Sequence, residues 1–402
     1  MARQKNQSNK PPRIAVTKEP DELVYAAAET YFSTMQPDEE DDSAKVDGKK
    51  KGRAKATKGC ATRAANDLKE RFDRQDLTRE RIYPLIWEAI RRKFVVMNAP
   101  IEENLSRQLI EKFDLAQHLE ATNGAITVVN VVGNITSQHV GEAAADRIVN
   151  LIDKVRKEKE ARAIANGEDP ENVKVHLGLG AGFTAMTLAD RLSTRFSAAT
   201  PKLMLHALTP GGYYFQKQQN SPTSYFQRFF DKQFDVECQG MFAPPIVEVE
   251  NYERLRANPS LRASFTLRDE IDILVTSLAT SNDPHGLVRQ YFTHLHENRY
   301  IEEDAVKTLD AQGWIGDVLF QPYSATQAIH PKTLRTVALF NFKELVDFSK
   351  RPDKHVVVIG APCGECHASK ASAVLPLLKE PSMRLWNQLF IDRVAAIKLL
   401  QD

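Results

Sequence analysis

An alternation of short apolar runs with helical segments is the feature of this sequence that most constrains its fold. Several runs are rich in Val, Ile and Leu at consecutive positions, rather than at every second position. A strand that is apolar on both faces must be covered on both sides, which is typical of parallel sheets flanked by helices. The pattern therefore predicts a largely parallel, doubly covered α/β body. The runs are ITVVNVV, VKVHLGLG, KLMLHAL, IDILVTSLA, GDVLF, TVALF and HVVVIG.

Composition limits the class of protein further. With 402 residues, the chain is long for one domain, so we expect two or three compact units. The hydrophobic share of 42% and the charged share of 27% are ordinary for a globular protein, and the net charge of +1 argues against a polybasic chain. No apolar leader or membrane-length apolar run is present, and 4 cysteines are too few for a disulfide framework. These features predict a cytoplasmic protein without a membrane partner.

Two segments near the N-terminus lack the apolar residues that a folded core needs. Residues 1–20 are polar and contain proline, and residues 36–59 combine an acidic run with many lysines. Such segments cannot bury enough apolar surface to offset the entropy that is lost on ordering. We therefore predict a disordered tail at 1–20 and a disordered polar insertion at about 36–59.

The segments on either side of that insertion have the order of a winged helix-turn-helix, which we assign to residues 21–100. A first helix begins at Asp21, a second begins near Thr62, and a longer third helix follows Thr78 as its N-cap. FVVMNAP then has the character of a short extended segment. Pro84 inside the third helix removes one backbone hydrogen bond, so we expect a kink or a shifted helix start there.

Basic side chains around the second and third helices are the candidate DNA contacts. Arg74, Arg79 and Arg81 could reach phosphates or guanine edges of double-stranded DNA. The alternative is an ordinary solvated helix face, where basic residues are common without any nucleic acid. Tyr83 and Trp87 are assigned to the core of this unit because apolar residues surround them.

A glycine-rich turn between a strand and a helix is the strongest candidate for a binding site. In VHLGLGAGFTAMTLADRL, the turn holds Gly178, Gly180 and Gly182, and the N–H groups at a helix N-terminus favour an anion. Thr184 adds a hydroxyl donor. The alternative is that these glycines serve backbone geometry alone. The spacing matches neither the Walker loop nor the dinucleotide-binding fingerprint.

Two further strand ends carry charged residues. Lys370 stands near the start of the helix that follows HVVVIG and its loop, and Asp317 lies in GWIGDVLF. Ligands of open α/β sheets bind beyond the carboxyl ends of strands, so we expect these groups to converge with the glycine turn. For Lys370, the alternative is a solvated surface lysine.

The loop before Lys370 contains a C-x-x-C-H pattern formed by Cys363, Cys366 and His367. Covalent haem attachment is disfavoured because no export signal is seen. A zinc site would have three ligands here but would need a fourth. We therefore predict no metal and no cofactor. His176 and His206, within apolar strands, are interpreted as core histidines.

Taken in order, the segments resemble the SorC/DeoR-type sugar-binding transcriptional regulators over about residues 21–402. LVYAAAETYF resembles the first helix of that family, TRAANDLKERFDRQDLTRERIYPLIWEAIRRKFVV its helix-turn-helix and wing, and GLGAGFTAMTLADRL its first effector loop. GWIGDVLF resembles its Gly-Asp strand. The chain departs from the family pattern at its polar insertion, at Pro84, and at PCGECHAS, where the family has a shorter double-glycine turn.

The resemblance implies a Rossmann-like effector domain at residues 101–402, similar to ribose-phosphate isomerase and glucosamine-phosphate deaminase. It implies a phosphorylated sugar as effector and a homo-oligomer, a dimer or tetramer, on DNA. The matching effector positions are Gly180, Gly182, Thr184, Asp317 and Lys370. We therefore expect a regulator rather than an enzyme. The alternatives are a phosphosugar isomerase or deaminase with Asp317 as its acid or base, and a scaffold whose sites are vestigial.

Overall fold

The computed structural model of the chain describes residues 19–33, 59–92, 94–95, 98–133, 135–196, 201–211, 221–230 and 235–402. Tertiary contacts divide the chain into two compact units, Met1–Met97 and Asn98–Asp402. The predicted tail and polar insertion lie outside the described residues, apart from Glu19, Pro20 and Gly59 at their edges.

The described part of the N-terminal unit is helical. Its helices are α1 (Asp21–Ser33), α2 (Cys60–Phe72) and α3 (Arg79–Arg91). Alanines fill most buried positions of α1 and α2, while Leu68, Leu77 and Ile82 supply larger side chains to the shared core. The α2 helix ends at Phe72, and the left-handed backbone of Asp73 (φ 49°) starts the turn that leads to α3. Two of these helices and the turn between them therefore follow the predicted helix-turn-helix order.

The structure bears on two expectations for this unit. The α3 helix starts directly after Thr78, the predicted N-cap, and continues past Pro84, its sixth residue, so Pro84 neither shifts the start of the helix nor ends it. Only one hydrogen bond is lost there, and the buried face of the helix holds it against the core. The predicted extended segment forms no strand among residues 94–95 and 98–100. Residues 98–100 belong to the second unit, where the adjacent Ile101 forms an isolated antiparallel bridge with Val129.

The second unit is built on a sheet whose main path is parallel. The order is β1 (Ala125–Val129), β11 (Gln388–Asp392), β10 (His355–Gly360), β6 (Ile273–Thr280), β2 (Lys174–Leu179), β3 (Lys202–Ala207) and β4 (Val236–Gln239). Two short antiparallel strands, β7 (Gly316–Val318) and β8 (Gln321–Tyr323), extend from the end of β6. A separate antiparallel pair joins β5 (Ile246–Glu248) to β9 (Leu334–Thr336).

Helices connect these strands. They are α4 (Glu103–Lys112), α5 (Ala116–Thr122), α6 (Thr136–Asn166), α7 (Phe183–Arg195), α8 (Pro222–Phe230), α9 (Val249–Arg256), α10 (Pro259–Leu267), α11 (Leu287–Glu297), α12 (Ala305–Ala311), α13 (Phe342–Ser349), α14 (Ala371–Lys379) and α15 (Arg393–Gln401). Every residue of β10 and β11 is buried, as strands covered on both faces require. The prediction of a largely parallel α/β sheet is confirmed. Among the described helices, none is both long and apolar enough to cross a membrane.

Some predicted boundaries in this unit were wrong. The strand β11 was not predicted, although it lies between β1 and β10 in the sheet. The segment DVECQGMFAPPIVEVE contains β4 and β5, which form through pairing with partners distant in sequence. The predicted strand TVALF is extended only at Thr336, where β9 ends. The helices α4 and α5 are separate, because Asp114 between them adopts a left-handed backbone (φ 49°).

Candidate functional site: a pocket at the carboxyl ends of parallel strands

A pocket of about 820 Å³, counting its open mouth, lies in the second unit at the carboxyl ends of β2, β6 and β10. This is the place where open α/β sheets bind ligands. The wall includes Gly182, Thr184, Asp317 and Lys370, so the structure brings together four of the five residues predicted for the effector site. Further side chains in the wall that carry polar or sulfur atoms are Ser277, Asp283, His285, Gln290, Cys363 and Glu365.

The fifth predicted residue, Gly180, does not line the pocket. A Cβ atom at Gly180 would lie 2.8 Å from Thr276 Oγ1 and 2.9 Å from Leu319 Cδ2. Gly180 therefore allows the turn to pack closely against β6 and the segment after β7. Gly182 has a different role, because its φ of +121° is a conformation that side chains with a Cβ rarely adopt. Its backbone shape sets the entry into α7.

The N-terminus of α7 presents backbone donors to the pocket. The first N–H group with an acceptor inside this helix is that of Met186, which bonds to the Gly182 carbonyl at 3.0 Å. The N–H groups of the preceding turn have no acceptor within the helix, as at every helix start. Tyr225 holds the turn, because its hydroxyl accepts from the Gly182 N–H at 3.0 Å and donates to the Gly182 carbonyl at 2.8 Å. Thr184 adds a buried hydroxyl.

A buried lysine and a buried carboxyl group face the same pocket. Lys370 is the N-cap residue of α14, and its ammonium donates to the Leu278 carbonyl. Burial lowers the pKa of Lys370, while the nearby Asp283 carboxylate opposes that shift. Burial raises the pKa of Asp317 to about 7, although the Lys370 charge acts in the other direction. Asp317 Oδ2 is buried and has no hydrogen-bond partner among the described residues.

This arrangement suits a small polyhydroxylated anion. Lys370 and the first turn of α7 offer positive charge and N–H donors to a negatively charged group. Asp317 and Ser277 offer acceptors and donors for hydroxyl groups. A buried polar atom without a partner, such as Asp317 Oδ2, loses free energy unless a ligand or water satisfies it. The pocket therefore has the chemistry to hold a sugar that carries an acidic group.

Two pocket residues, Asp283 and His285, were not predicted from the sequence. They lie in the loop between β6 and α11, which reads SNDPHG. The sequence does carry a signal for them, because turn-forming residues follow a strand of the parallel sheet directly. Loops in that position line the edge of the sheet where ligands bind. Both residues contact the Cys363–Cys366 segment across the pocket wall.

The predicted DNA-contacting arginines of the N-terminal unit make contacts within that unit. Arg74 Nε lies 2.6 Å from Asp76 Oδ1, and its other nitrogens reach Glu19 at 3.0 and 3.1 Å. Arg81 Nη1 lies 2.7 Å from Asp76 Oδ2. Hydrogen bonds from Arg74 lower the pKa of Asp76 to about 2, so the carboxylate stays charged. The Tyr83 hydroxyl beside Arg79 raises the pKa of the Arg79 guanidinium.

The assignment of Tyr83 and Trp87 to the core was wrong. Trp87 is 56% exposed and Tyr83 is 39% exposed. The two residues are four positions apart and share the helix face opposite the buried residues Ile82, Leu85 and Ala89. The exposed face of α3 therefore carries two aromatic side chains beside Arg79.

Comparison with solved structures finds a similar fold in several structures described as transcriptional regulators. The full-length sorbitol operon regulator SorC from Klebsiella pneumoniae matches with a TM-score of 0.58 and 12% identity, over 96% of this chain and 100% of that chain. A transcriptional regulator from Streptococcus pneumoniae matches with a TM-score of 0.52 and 17% identity, over 74% of this chain and 96% of that chain.

A structure described as the sugar-binding domain of a transcriptional repressor from Vibrio fischeri also has a TM-score of 0.52, at 12% identity, over 75% of this chain and 98% of that chain. The resemblance inferred from the sequence is confirmed at the level of the fold. No protein-family model matches the sequence, and no curated protein matches it. At such low identities, the likeness concerns the fold, and function must be argued from the site.

Proposed function

We propose that this protein is a DNA-binding transcriptional regulator controlled by a small phosphorylated sugar or a related anionic metabolite. The observation that carries the proposal is the convergence of Gly182, Thr184, Asp317 and Lys370 in one pocket. These residues come from three separate stretches of the chain. Their meeting supplies an anion site and a hydroxyl-binding group in the same place.

The position of Lys370 supports a ligand with a compact negative charge. Its side chain is 7% exposed and its ammonium already donates to a backbone carbonyl. A buried ammonium is stable only when it is paired or hydrogen-bonded, and a phosphate would satisfy its remaining donors. The start of α7, which lines the same pocket, would add N–H donors to the same group.

The N-terminal unit supports the DNA-binding part of the proposal. The α3 helix presents Arg79, Arg81, Tyr83 and Trp87 on exposed positions, and the preceding turn and α2 give the order of a helix-turn-helix. We propose Arg79 and Arg81 as contacts to DNA. Arg74 is proposed as a weaker contributor, because Asp76 and Glu19 already neutralise its charge. The proposed state on DNA is a homo-oligomer.

The test is a mobility-shift titration of the full-length protein against the DNA upstream of its own gene. At low salt, the protein should shift the DNA. As salt is added, the logarithm of the binding constant should fall linearly with the logarithm of the salt concentration, because binding releases cations from the DNA phosphates. One sugar phosphate from a panel should change the affinity. The charge-removing variant Arg81→Gln should reduce the salt slope by about 1, and Arg268→Gln in the second unit should leave it unchanged. Absence of any shift at low salt would reject the proposal.

A second candidate function is an isomerase or deaminase acting on a phosphosugar. The observation that favours it is Asp317, a fully buried carboxyl group in the pocket whose pKa is raised to about 7 by burial. A group that titrates near the working pH can serve as a general acid or base. Incubation with sugar phosphates, followed by NMR of the products, tests this function. Turnover that disappears in Asp317→Asn would establish the enzyme, and no turnover with any tested phosphosugar would remove it.

A further inference from the structure

Four side chains with metal-binding atoms meet beside the pocket, and three of them, Asp283, His285 and Cys363, line its wall. The four are Asp283 and His285 from the loop after β6, and Cys363 and Cys366 from the loop after β10. One ligand atom from each side chain lies within 4.8 Å of all the others. Asp283 and Cys363 are buried, whereas His285 and Cys366 reach the surface.

The spacing of these atoms agrees with a single tetrahedral ion. Cys363 Sγ lies 3.9 Å from His285 Nδ1, Cys366 Sγ lies 3.7 Å from Asp283 Oδ1, and His285 Nδ1 lies 3.5 Å from Asp283 Oδ1. Zinc binds sulfur at about 2.3 Å and nitrogen or oxygen at about 2.0–2.2 Å, so tetrahedral ligands are separated by about 3.3–3.8 Å. These three of the six separations lie within or close to that interval, and the other three are no longer than 4.8 Å.

The backbone of the cysteine loop is folded to present both sulfur atoms. The Cys363 N–H donates to the Ala368 carbonyl at 3.0 Å, and the His367 N–H donates to the Cys363 carbonyl at 3.0 Å. The thiolate is the form of cysteine that binds metal. On the other side of the cluster, Asp283 Oδ1 accepts the His285 N–H at 2.9 Å.

His367 does not belong to the cluster, although it completes the C-x-x-C-H pattern in the sequence. Its left-handed backbone (φ 57°) ends the turn, and its side chain is exposed. The other two ligands, Asp283 and His285, come instead from a loop about 80 residues earlier in the chain. Folding, and not local sequence spacing, therefore brings the four ligands together.

We propose that Asp283, His285, Cys363 and Cys366 bind one zinc ion that ties the loop after β6 to the loop after β10. Two thiolates and an imidazole select zinc over magnesium or calcium, which prefer oxygen ligands. Four protein ligands leave no open position, so the site is structural. Binding releases the two thiol protons.

The place of the ion connects it to the pocket. Lys370 follows Cys366 by four residues in the same loop. A Cβ atom at Gly364 would lie 2.6 Å from the Phe183 ring, so the cysteine turn packs directly against the start of α7. The ion therefore stabilises the part of the wall that carries Lys370, and its removal should loosen the pocket.

The test measures the metal itself on full-length protein purified under reducing conditions without chelator. Elemental analysis should find about one zinc per chain, because a structural site binds one ion with four protein ligands. Apo-protein titrated with cobalt(II) should develop thiolate-to-metal charge-transfer bands together with the visible bands of a tetrahedral ion. Cys366→Ser and His285→Asn change exposed side chains, so they should fold. We expect both to weaken metal affinity by more than the roughly 10–100-fold cost of losing an outer-shell partner.

Matched controls come from the rest of the chain. Cys60→Ser, Cys238→Ser and His367→Asn remove residues of the same types outside the cluster and should bind cobalt like the parent. The proposal is overturned if reduced parent protein takes up no cobalt, or if His367→Asn abolishes binding while His285→Asn does not. It is also overturned if Cys363 and Cys366 form a disulfide and their reduction creates no metal site.

Discussion

Two prolines at the same position of two helices allow a direct test of how much stability a missing helical hydrogen bond costs this chain. Pro84 is the sixth residue of α3, and Pro376 is the sixth residue of α14. Neither has an N–H group to donate to the carbonyl four residues earlier. The two differ in burial, because Pro84 is exposed and Pro376 is buried.

Replacing Pro84 by Ala should therefore stabilise α3. An interior proline costs about 3 kcal/mol relative to alanine, and we take about 2 kcal/mol because Pro84 lies only in the second turn. No packing is lost, since the ring is exposed. Pro376→Ala restores the same hydrogen bond but removes two buried methylene groups, worth about 0.8 kcal/mol each. Its net effect should be close to zero.

Native-state hydrogen exchange on the full-length protein, followed by mass spectrometry of peptides, measures both changes. Exchange of α3 amides should slow by up to about 30-fold in Pro84→Ala, the factor that corresponds to about 2 kcal/mol. Exchange of α14 amides should change little in Pro376→Ala. Unchanged or faster exchange of α3 in Pro84→Ala would show that the proline costs this helix nothing. A large slowing in Pro376→Ala would show that burial of the ring does not offset the lost bond.

Two further predictions concern packing and pH. Gly316→Ala would place a Cβ atom 2.8 Å from the Ala279 carbonyl oxygen and 2.8 Å from Ala373 Cβ, so it should lower the free energy of unfolding. Overpacking of this kind costs about 1–3 kcal/mol, which urea unfolding would detect as a lower midpoint, and an unchanged midpoint would contradict the tight packing. Burial lowers the pKa of His206 to about 3, below its unfolded value of 6.5. As the pH falls below 6.5, the unfolded state therefore binds a proton before the folded state does. Because of this, the free energy of unfolding should be about 2 kcal/mol lower at pH 5 than above pH 6.5. His206→Leu, which cannot ionise, should flatten this acid limb, and an equally steep limb in the variant would show that His206 does not cause it.

The parallel sheet could be predicted because its central strands are apolar on both faces. HVVVIG became β10, in which every residue is buried. The strand β11 was missed because its sequence, QLFID, has a polar residue at each end. Gln388 donates to the Asn123 carbonyl, and the Asp392 carboxylate caps α15. Polar residues with such partners are compatible with a buried strand, but those partners exist only in the folded chain.

The site was partly predictable for the same reason. Recognisable strand ends contain or precede Lys370, Asp317 and Gly182. Because ligands of parallel sheets bind beyond the carboxyl ends of the strands, the sequence predicts that these residues share one site. The part played by Asp283 and His285 depends on how the loop after β6 reaches the cysteine loop, which no local pattern encodes. Trp87 was misplaced because the apolar residues of α3 occupy more than one face, and periodicity alone does not select the face that meets the core.

Direct binding of a sugar phosphate is the measurement that tests the central claim most directly. Isothermal titration of the full-length protein with a panel of sugar phosphates should find at least one ligand, and Lys370→Met should abolish its binding. Lys354→Met is the matched control, because Lys354 is equally buried but lies at the amino end of β10, opposite the pocket. Binding that survives in Lys370→Met, or that is lost equally in Lys354→Met, would contradict the assignment of the pocket. Failure of the parent protein to bind any of the sugar phosphates would contradict the proposed effector.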